Sequence, residues 1–330
     1  MKKPFKILSI DGGGIKGLYS SKILEHFEQE FQCNVVDHFD MICGTSTGGI
    51  LGLALSLKIK AEEISRMYEE NGEKIFPNQS KLKGKIKQSL LGGKYSDKPL
   101  RSALEATFGD HKIKDSHCLL CIPSYSVTDA RPFIFKYDHE ENKQRRDNNA
   151  KYVDVALATS AAPTYFPLAE IEYYNSRQFI DGGIYANNPS IVGLIEALDY
   201  FVGEDKEYDE VQILSISSLN NLEGEVTGLS RKRSFLHWQE KLFEAILTGQ
   251  AKFVDYFMRK ASESDSIPVK HVRVPSDKLS PTQQKIIKLD KATKKSINML
   301  RIKGNDMGLL WRKKSEIREF FETKKTYKTN

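Results

Sequence analysis

Three short stretches hold residues whose types and spacing suit nucleophilic chemistry. The first, "MICGTSTGGILGLAL" (41–55), contains G-x-S-x-G as Gly44-Thr45-Ser46-Thr47-Gly48. An apolar strand-like run ends at the motif, and an apolar helix-like run begins directly after it. Small residues around a serine in that setting permit a tight strand-to-helix turn that presents the hydroxyl at a helix N-terminus. A serine used in this way needs a base to take its proton and donors to hold an oxyanion. For the pentapeptide alone, a Gly-rich packing turn is the competing reading.

Donors are offered by "KILSIDGGGIKGLYSSKIL" (6–24), where Gly12, Gly13 and Gly14 follow Asp11. With no side chains in the way, their backbone N–H groups can reach a substrate oxygen beside Ser46. Lys16 either adds positive charge there or lies solvated at the surface. The stretch also satisfies G-x-G-x-x-G from Gly12 to Gly17, a pattern that cradles phosphates. The dinucleotide fingerprint, however, expects an acid at the end of the next strand. Here that strand ends in "GTSTGG", and Asp37 and Asp40 precede it or open it. Leu18 stands where a Walker A loop has its lysine. The cofactor reading is weak.

The base is less obvious. Of seven histidines, only His237 and His271 could complete the order serine, acid, histidine. Neither has a turn-like, glycine-flanked setting. "FIDGGIYANNP" (179–189) does have one, since Asp181 follows an apolar strand and precedes Gly182 and Gly183. At its ordinary pKa of about 3.9 an aspartate is a weak base. A Ser46–Asp181 dyad therefore requires close geometry, desolvation that raises the pKa, and preorganised oxyanion donors. An ordinary Asp-Gly turn is the alternative for this segment.

These residues need a frame. Strand-like runs at 5–10, 39–46, 117–127, 131–137, 178–183 and 211–217 alternate with helical patterns at 15–31, 48–57, 61–71, 99–108 and 189–202. Apolar strands alternating with helices predict a parallel sheet covered on both faces. After about residue 227 come a long amphipathic helix, a strand-like "VKHVRV", and Lys-rich helices. The expected division is a core at 1–226 with a mainly helical extension at 227–330 packed on the same domain. The 330 residues, 39% hydrophobic and 28% charged, are those of an ordinary globular chain. The N-terminus lacks a secretory h-region and no run is long enough to span a bilayer, so a cytoplasmic protein is expected. Cys118 and Cys121 have C-x-x-C spacing, but no second pair completes a zinc site, so buried thiols are expected.

Taken together, the three motifs resemble the patatin-like phospholipase family. The family pattern is a D-G-G-G-x-x-G oxyanion loop, a G-x-S-x-G elbow and a D-G-[GA] aspartate, and this chain has "DGGGIKG", "GTSTG" and "DGG" in that order. "ATSAAPTYFP" (158–167) and "GGKYSDKPLRSALEATFGD" (92–110) are also typical of it, and the likeness covers about residues 5–220. It implies an α/β, patatin-like three-layer core with a mostly parallel sheet flanked by helices, plus a helical C-terminal elaboration. It also implies Ser46 as nucleophile, Asp181 as base, and an oxyanion hole from Gly12, Gly13 and Gly14, with no cofactor and no metal. The implied reaction releases fatty acid and lysolipid from phospholipid. One departure is "ILSISSLNN", where the family often has a G-T-G-like turn.

The tail, with "IKGNDMGLLWRKKSEIREFFE", is similar to patatin-like effectors of bacterial cyclic-oligonucleotide antiphage systems. That likeness implies a cyclic dinucleotide activator. The net charge of +6 has lysine clusters at 81–94 and 285–303 that lack interleaved stacking aromatics. They suit an anionic phospholipid membrane surface better than a nucleic acid polymer. The basic–apolar segment 80–95 is a candidate lid or bilayer contact, with a solvated loop as its alternative. A homo-oligomer is a further expectation. The rival functions are a constitutive esterase or thioesterase on soluble acyl substrates, and a non-catalytic lipid- or nucleotide-binding module.

Overall fold

The computed structural model describes residues 3–78, 93–142, 145–219, 231–232 and 235–329. Pro4–Ile10 (β1) is buried at every position after Pro4, as a central strand with both faces covered must be. Met41–Gly44 (β2) and Glu210–Ile216 (β7) flank it in parallel. Leu119–Ser126 (β3) continues the parallel sheet beyond β2, and Val269–Val274 (β8) continues it beyond β7. Arg131–Lys136 (β4), Ala169–Ile171 (β5) and Arg177–Asp181 (β6) pair antiparallel. The eight strands form one sheet in the order β5-β6-β3-β2-β1-β7-β8, with β4 also on β3. The α/β sheet is thus mostly parallel, as its apolar runs predict, with an antiparallel corner.

Gly17–Phe31 (α1), Thr47–Ser56 (α2), Ala61–Ile75 (α3), Lys98–Phe108 (α4), Tyr152–Ser160 (α5), Gly183–Ala186 (α6) and Ser190–Tyr200 (α7) flank the sheet. Without a charged residue, α2 is buried along its whole length. The register brings the site together. Cys43 pairs with Cys121, so Ser46 and Ser124 lie equally far beyond that pair. Ser124 pairs with Asp181, and β6 therefore delivers Asp181 level with Ser46.

The C-terminal part holds Phe235–Ser262 (α8), Pro281–Ile286 (α9), Lys294–Trp311 (α10) and Ser315–Phe321 (α11). Through β8 it extends the same sheet. Gly304 and Gly308 let α10 lie directly on α1, because a Cβ at Gly304 would stand 2.8 Å from the Tyr19 carbonyl and one at Gly308 would stand 2.5 Å from the His26 ring. In α11, Phe321 stacks on Phe31 and Phe320 on Phe39. Buried Asp40 accepts hydrogen bonds from the Lys6, Thr326 and Tyr327 amides, which fixes the tail.

Three details differ from the sequence expectation. β2 stops at Gly44 because Thr45 and Ser46 already form the turn. The α5 helix and the short β5 have no counterpart among the expected elements. The 80–95 segment lies outside the described residues as far as residue 92. Cys43, Cys118 and Cys121 are buried free thiols, as expected for the C-x-x-C pair. Among the described residues, no helix is long and apolar enough to cross a membrane.

Candidate active site

Ser46 is the N-cap of α2, with φ 55° and ψ −124°. A non-glycine residue rarely occupies that region, at a cost of roughly 1–3 kcal/mol, and the surrounding structure must hold it there. Gly48 makes the bend possible, since a Cβ on it would stand 2.2 Å from the Ile10 carbonyl oxygen. The Ser46 N–H donates to Thr159 Oγ1 at 2.9 Å, and that hydroxyl donates to the Pro123 carbonyl at 2.6 Å. Thr45 Oγ1 donates to the Ala186 carbonyl at 2.5 Å. The elbow is thus tied to β3, to α5 and to the segment after Asp181.

Asp181 is 2% exposed, and its carboxylate accepts hydrogen bonds from the Ser46 hydroxyl and from the Gly183 N–H, the latter at 2.7 Å. Burial raises its pKa to about 7, with the two hydrogen bonds pulling the other way. The structure therefore joins the predicted serine to the predicted aspartate. It also gives that aspartate a proton affinity suited to accepting a proton near neutral pH. Among the described residues, no histidine lines the cavity beside Ser46. His271 lies on β8, where burial and Arg273 lower it to about 3.

The glycine loop is narrower in function than the sequence implies. Gly12 packs against Ser46, but its N–H already donates to the Asn187 carbonyl at 3.0 Å. It shapes the loop and offers no open donor. Among the described residues, no backbone carbonyl accepts from the N–H of Gly13 or Gly14. Gly14, at φ +58°, lines the same cavity as Ser46. A Cβ on Gly14 would stand 2.2 Å from the Leu289 carbonyl, so only glycine fits.

Beneath the loop, buried Asp11 accepts from Arg273 at 3.2 and 2.5 Å. Arg273 also donates to Ser215 Oγ and lies 3.5 Å from Asp255 of α8. Burial alone would lower the guanidinium, yet Asp11 raises it and keeps it charged. Lys16 is buried as well. Desolvation lowers it to about 8, against the opposing charges of Glu244 and Asp11.

The cavity beside Ser46 is walled by Ile50, Tyr68, Phe76, Leu100, Tyr165 and Leu289, all apolar or aromatic. Its volume is about 40 Å³, far below the roughly 300–1,000 Å³ of ordinary ligand pockets. Leu289, in the segment that links α9 to α10, forms part of its wall. The Ile15 N–H donates to the Leu289 carbonyl at 3.0 Å. Next to it, Asp290 is held by Lys94 Nζ at 2.5 Å and by Tyr95 OH at 2.9 Å.

A model of the family described as Patatin-like phospholipase matches residues 8–192, a span that takes in Ser46, Asp181 and the glycine loop. The chain belongs to the patatin-like phospholipase family. Membership makes it an ester hydrolase by family. A cGAMP-activated phospholipase of Pseudomonas aeruginosa is 33% identical over 303 residues, covering 91% of this chain and 87% of that protein. Patatin-like protein 2 of Arabidopsis thaliana is 29% identical, covering 91% and 82%. A cGAMP-activated phospholipase of Vibrio cholerae is 32% identical, covering 66% and 65%. Among solved structures, human GIVD cytosolic phospholipase A2 is 11% identical with a TM-score of 0.45, covering 97% of this chain and 60% of that one.

Several residues around this patatin-like site have no signal in the sequence. Arg273 looks like one alternating residue of "VKHVRV", and Leu289 like one apolar residue of a Lys-rich stretch. Thr159 lies within "ATSAAPTYFP" and Asn187 within "ANNP". The first stretch carries the family likeness without stating what Thr159 does, and the second carries no sign of what Asn187 does.

Proposed function

We propose that the chain is a serine acyl hydrolase that releases fatty acid from membrane phospholipids. In this reading Ser46 is the nucleophile, Asp181 the base, and a cyclic dinucleotide the activator. The observation that carries the reading is the hydrogen bond from a strained Ser46 hydroxyl to a buried carboxylate raised to about 7. Ser46 Oγ attacks the ester carbonyl and its proton passes to Asp181. The N–H groups of Gly13 and Gly14 hold the oxyanion. As the acyl-enzyme forms, the lysolipid alkoxide leaves and takes the proton from Asp181. Water then gives a proton to Asp181 and attacks the acyl-enzyme. The fatty acid leaves as Ser46 Oγ recovers that proton.

Two observations support gating. The Pseudomonas aeruginosa relative, which covers 91% of this chain, is described as cGAMP-activated. The cavity is also too small for a long acyl chain while Leu289 stays in place. We place the chemistry in 1–226 and the response to the activator in 227–330. The test is fatty-acid release from mixed phospholipid vesicles, read by mass spectrometry, for wild type and Ser46→Ala with and without cGAMP. The expected result is release by wild type only with the nucleotide. Equal release without it would make the enzyme constitutive. Hydrolysis confined to soluble esters would favour the esterase reading, and release by Ser46→Ala would refute the dyad.

A further inference from the structure

The long helix α8 is apolar on two faces. Its inner face, with Phe243, Leu247, Val254 and Met258, is buried. Near the site this face is fixed by Asn187 Nδ2 donating to the Leu247 carbonyl at 3.2 Å and by the Asn188 N–H donating to Gln250 Oε1 at 2.8 Å. On the opposite side Trp238, Leu242, Ile246, Phe253 and Tyr256 are 39%, 43%, 38%, 67% and 54% exposed. At 3.6 residues per turn these five fall within an arc of about 80° and form one continuous stripe along the helix. Gly249 lies mid-stripe, with open space where its Cβ would be.

The charges are sorted to match. Lys241, Lys252 and Arg259 form an exposed row along one flank of the stripe, and the Lys260–Glu263 pair lies near its C-terminal end. Two acids of the helix lie off the stripe, Asp255 at 3.5 Å from Arg273 and Glu244 near enough to Lys16 to act on its charge. Large apolar side chains beside a basic flank describe a helix that lies in a lipid interface, with its lysine and arginine heads at the level of the phosphates. A second copy of the chain fits less well, because an antiparallel two-fold pairing sets the basic row against itself.

We propose that the outer stripe of α8, Trp238 to Tyr256, is the surface by which the protein docks on anionic lipid. The inner face of the same helix packs on the segment after Asp181, so docking places the site one helix thickness from its substrate. This rests on the phospholipase reading for its purpose, but it is tested by binding alone.

The experiment is co-sedimentation with phosphatidylcholine vesicles, with and without phosphatidylglycerol, for wild type, Leu242→Gln/Phe253→Gln and Lys252→Glu/Arg259→Glu. Thermal melts check that each variant is folded. Hydrolysis of a short soluble ester and particle mass by sedimentation velocity are read alongside. Wild type should bind the anionic vesicles, and the apolar double variant should bind at least about tenfold more weakly. The charge variant should lose the preference for phosphatidylglycerol, and ester hydrolysis should stay within about twofold in both. Wild type that binds neither vesicle, or an apolar variant that binds as well as wild type, overturns the proposal. So does a change in particle mass with vesicle binding intact, which would make the stripe an interface between copies. If wild type binds vesicles yet cleaves no ester either with or without cGAMP, the hydrolase reading fails and the docking surface stands.

Discussion

In the proposed reaction two side chains carry the chemistry, and each is held in a state it would leave if freed. Ser46 occupies φ 55°, so Ser46→Gly should relieve strain and stabilise the fold by about 1 kcal/mol or more. Ser46→Ala, with a Cβ in the same conformation, should not, and thermal melts of the two separate these outcomes. Asp181 at about 7 makes a pH prediction. Below that value it carries a proton and cannot accept the one on Ser46. kcat/KM on a soluble ester should therefore fall about tenfold per pH unit on the acid side and level off above it. The stability effect has the opposite sign. The folded state binds this proton more tightly than the unfolded chain does, so the contribution of Asp181 is fully present below about pH 4 and lost as pH rises through about 7. At 1.36 kcal/mol per pKa unit, the rise from 3.8 to about 7 corresponds to at most about 4 kcal/mol. Asp181→Asn should thus melt higher at pH 8 while hydrolysing nothing. Ser46 and Asp181 were legible in the sequence because each lies in a local strand-turn pattern that dictates its setting. The division of labour among Gly12, Gly13 and Gly14 was not, because it depends on the Asn187 carbonyl arriving from far along the chain.

At the scale of elements, β8 and the α9–α10 link reach into the site from the C-terminal part. Arg273→Ala would leave Asp11 buried and unpaired, with an expected loss of about 3–5 kcal/mol by chemical denaturation. Arg273→Lys should recover part of it, because a lysine keeps the charge without the fork. Leu289→Ala should cost about 2 kcal/mol and enlarge the cavity. Its rate on long-chain relative to short-chain esters should rise severalfold, and an unchanged ratio would show that Leu289 is not the closing wall. The strands at 5–10, 131–137 and 211–217 were legible as short apolar runs and formed within a residue of those bounds. The three-residue β5 is too short to leave a periodic signal. That β8 joins the catalytic sheet beside β7 is a matter of tertiary pairing, which "VKHVRV" alone does not disclose.

For the whole molecule, the site lies at the carboxyl ends of β1 and β2, where β1 has its neighbours β2 and β7 on opposite sides. Open α/β sheets place their ligand crevices at such points. The C-terminal part lines that crevice through Leu289 and presents the apolar face of α8 with its basic flank. Both features are tertiary, and the charge total of +6 hinted only at the second. The central claim is that Ser46 is a nucleophile activated by Asp181, and covalent labelling tests it most directly. Wild type, Ser46→Ala and Asp181→Asn would be exposed to a fluorophosphonate across a pH series and read by intact-mass and peptide mass spectrometry. The account predicts a single adduct on Ser46, a labelling rate that rises through about pH 7, and no adduct in either variant. An adduct on another residue, or Asp181→Asn labelling at the wild-type rate, would contradict it.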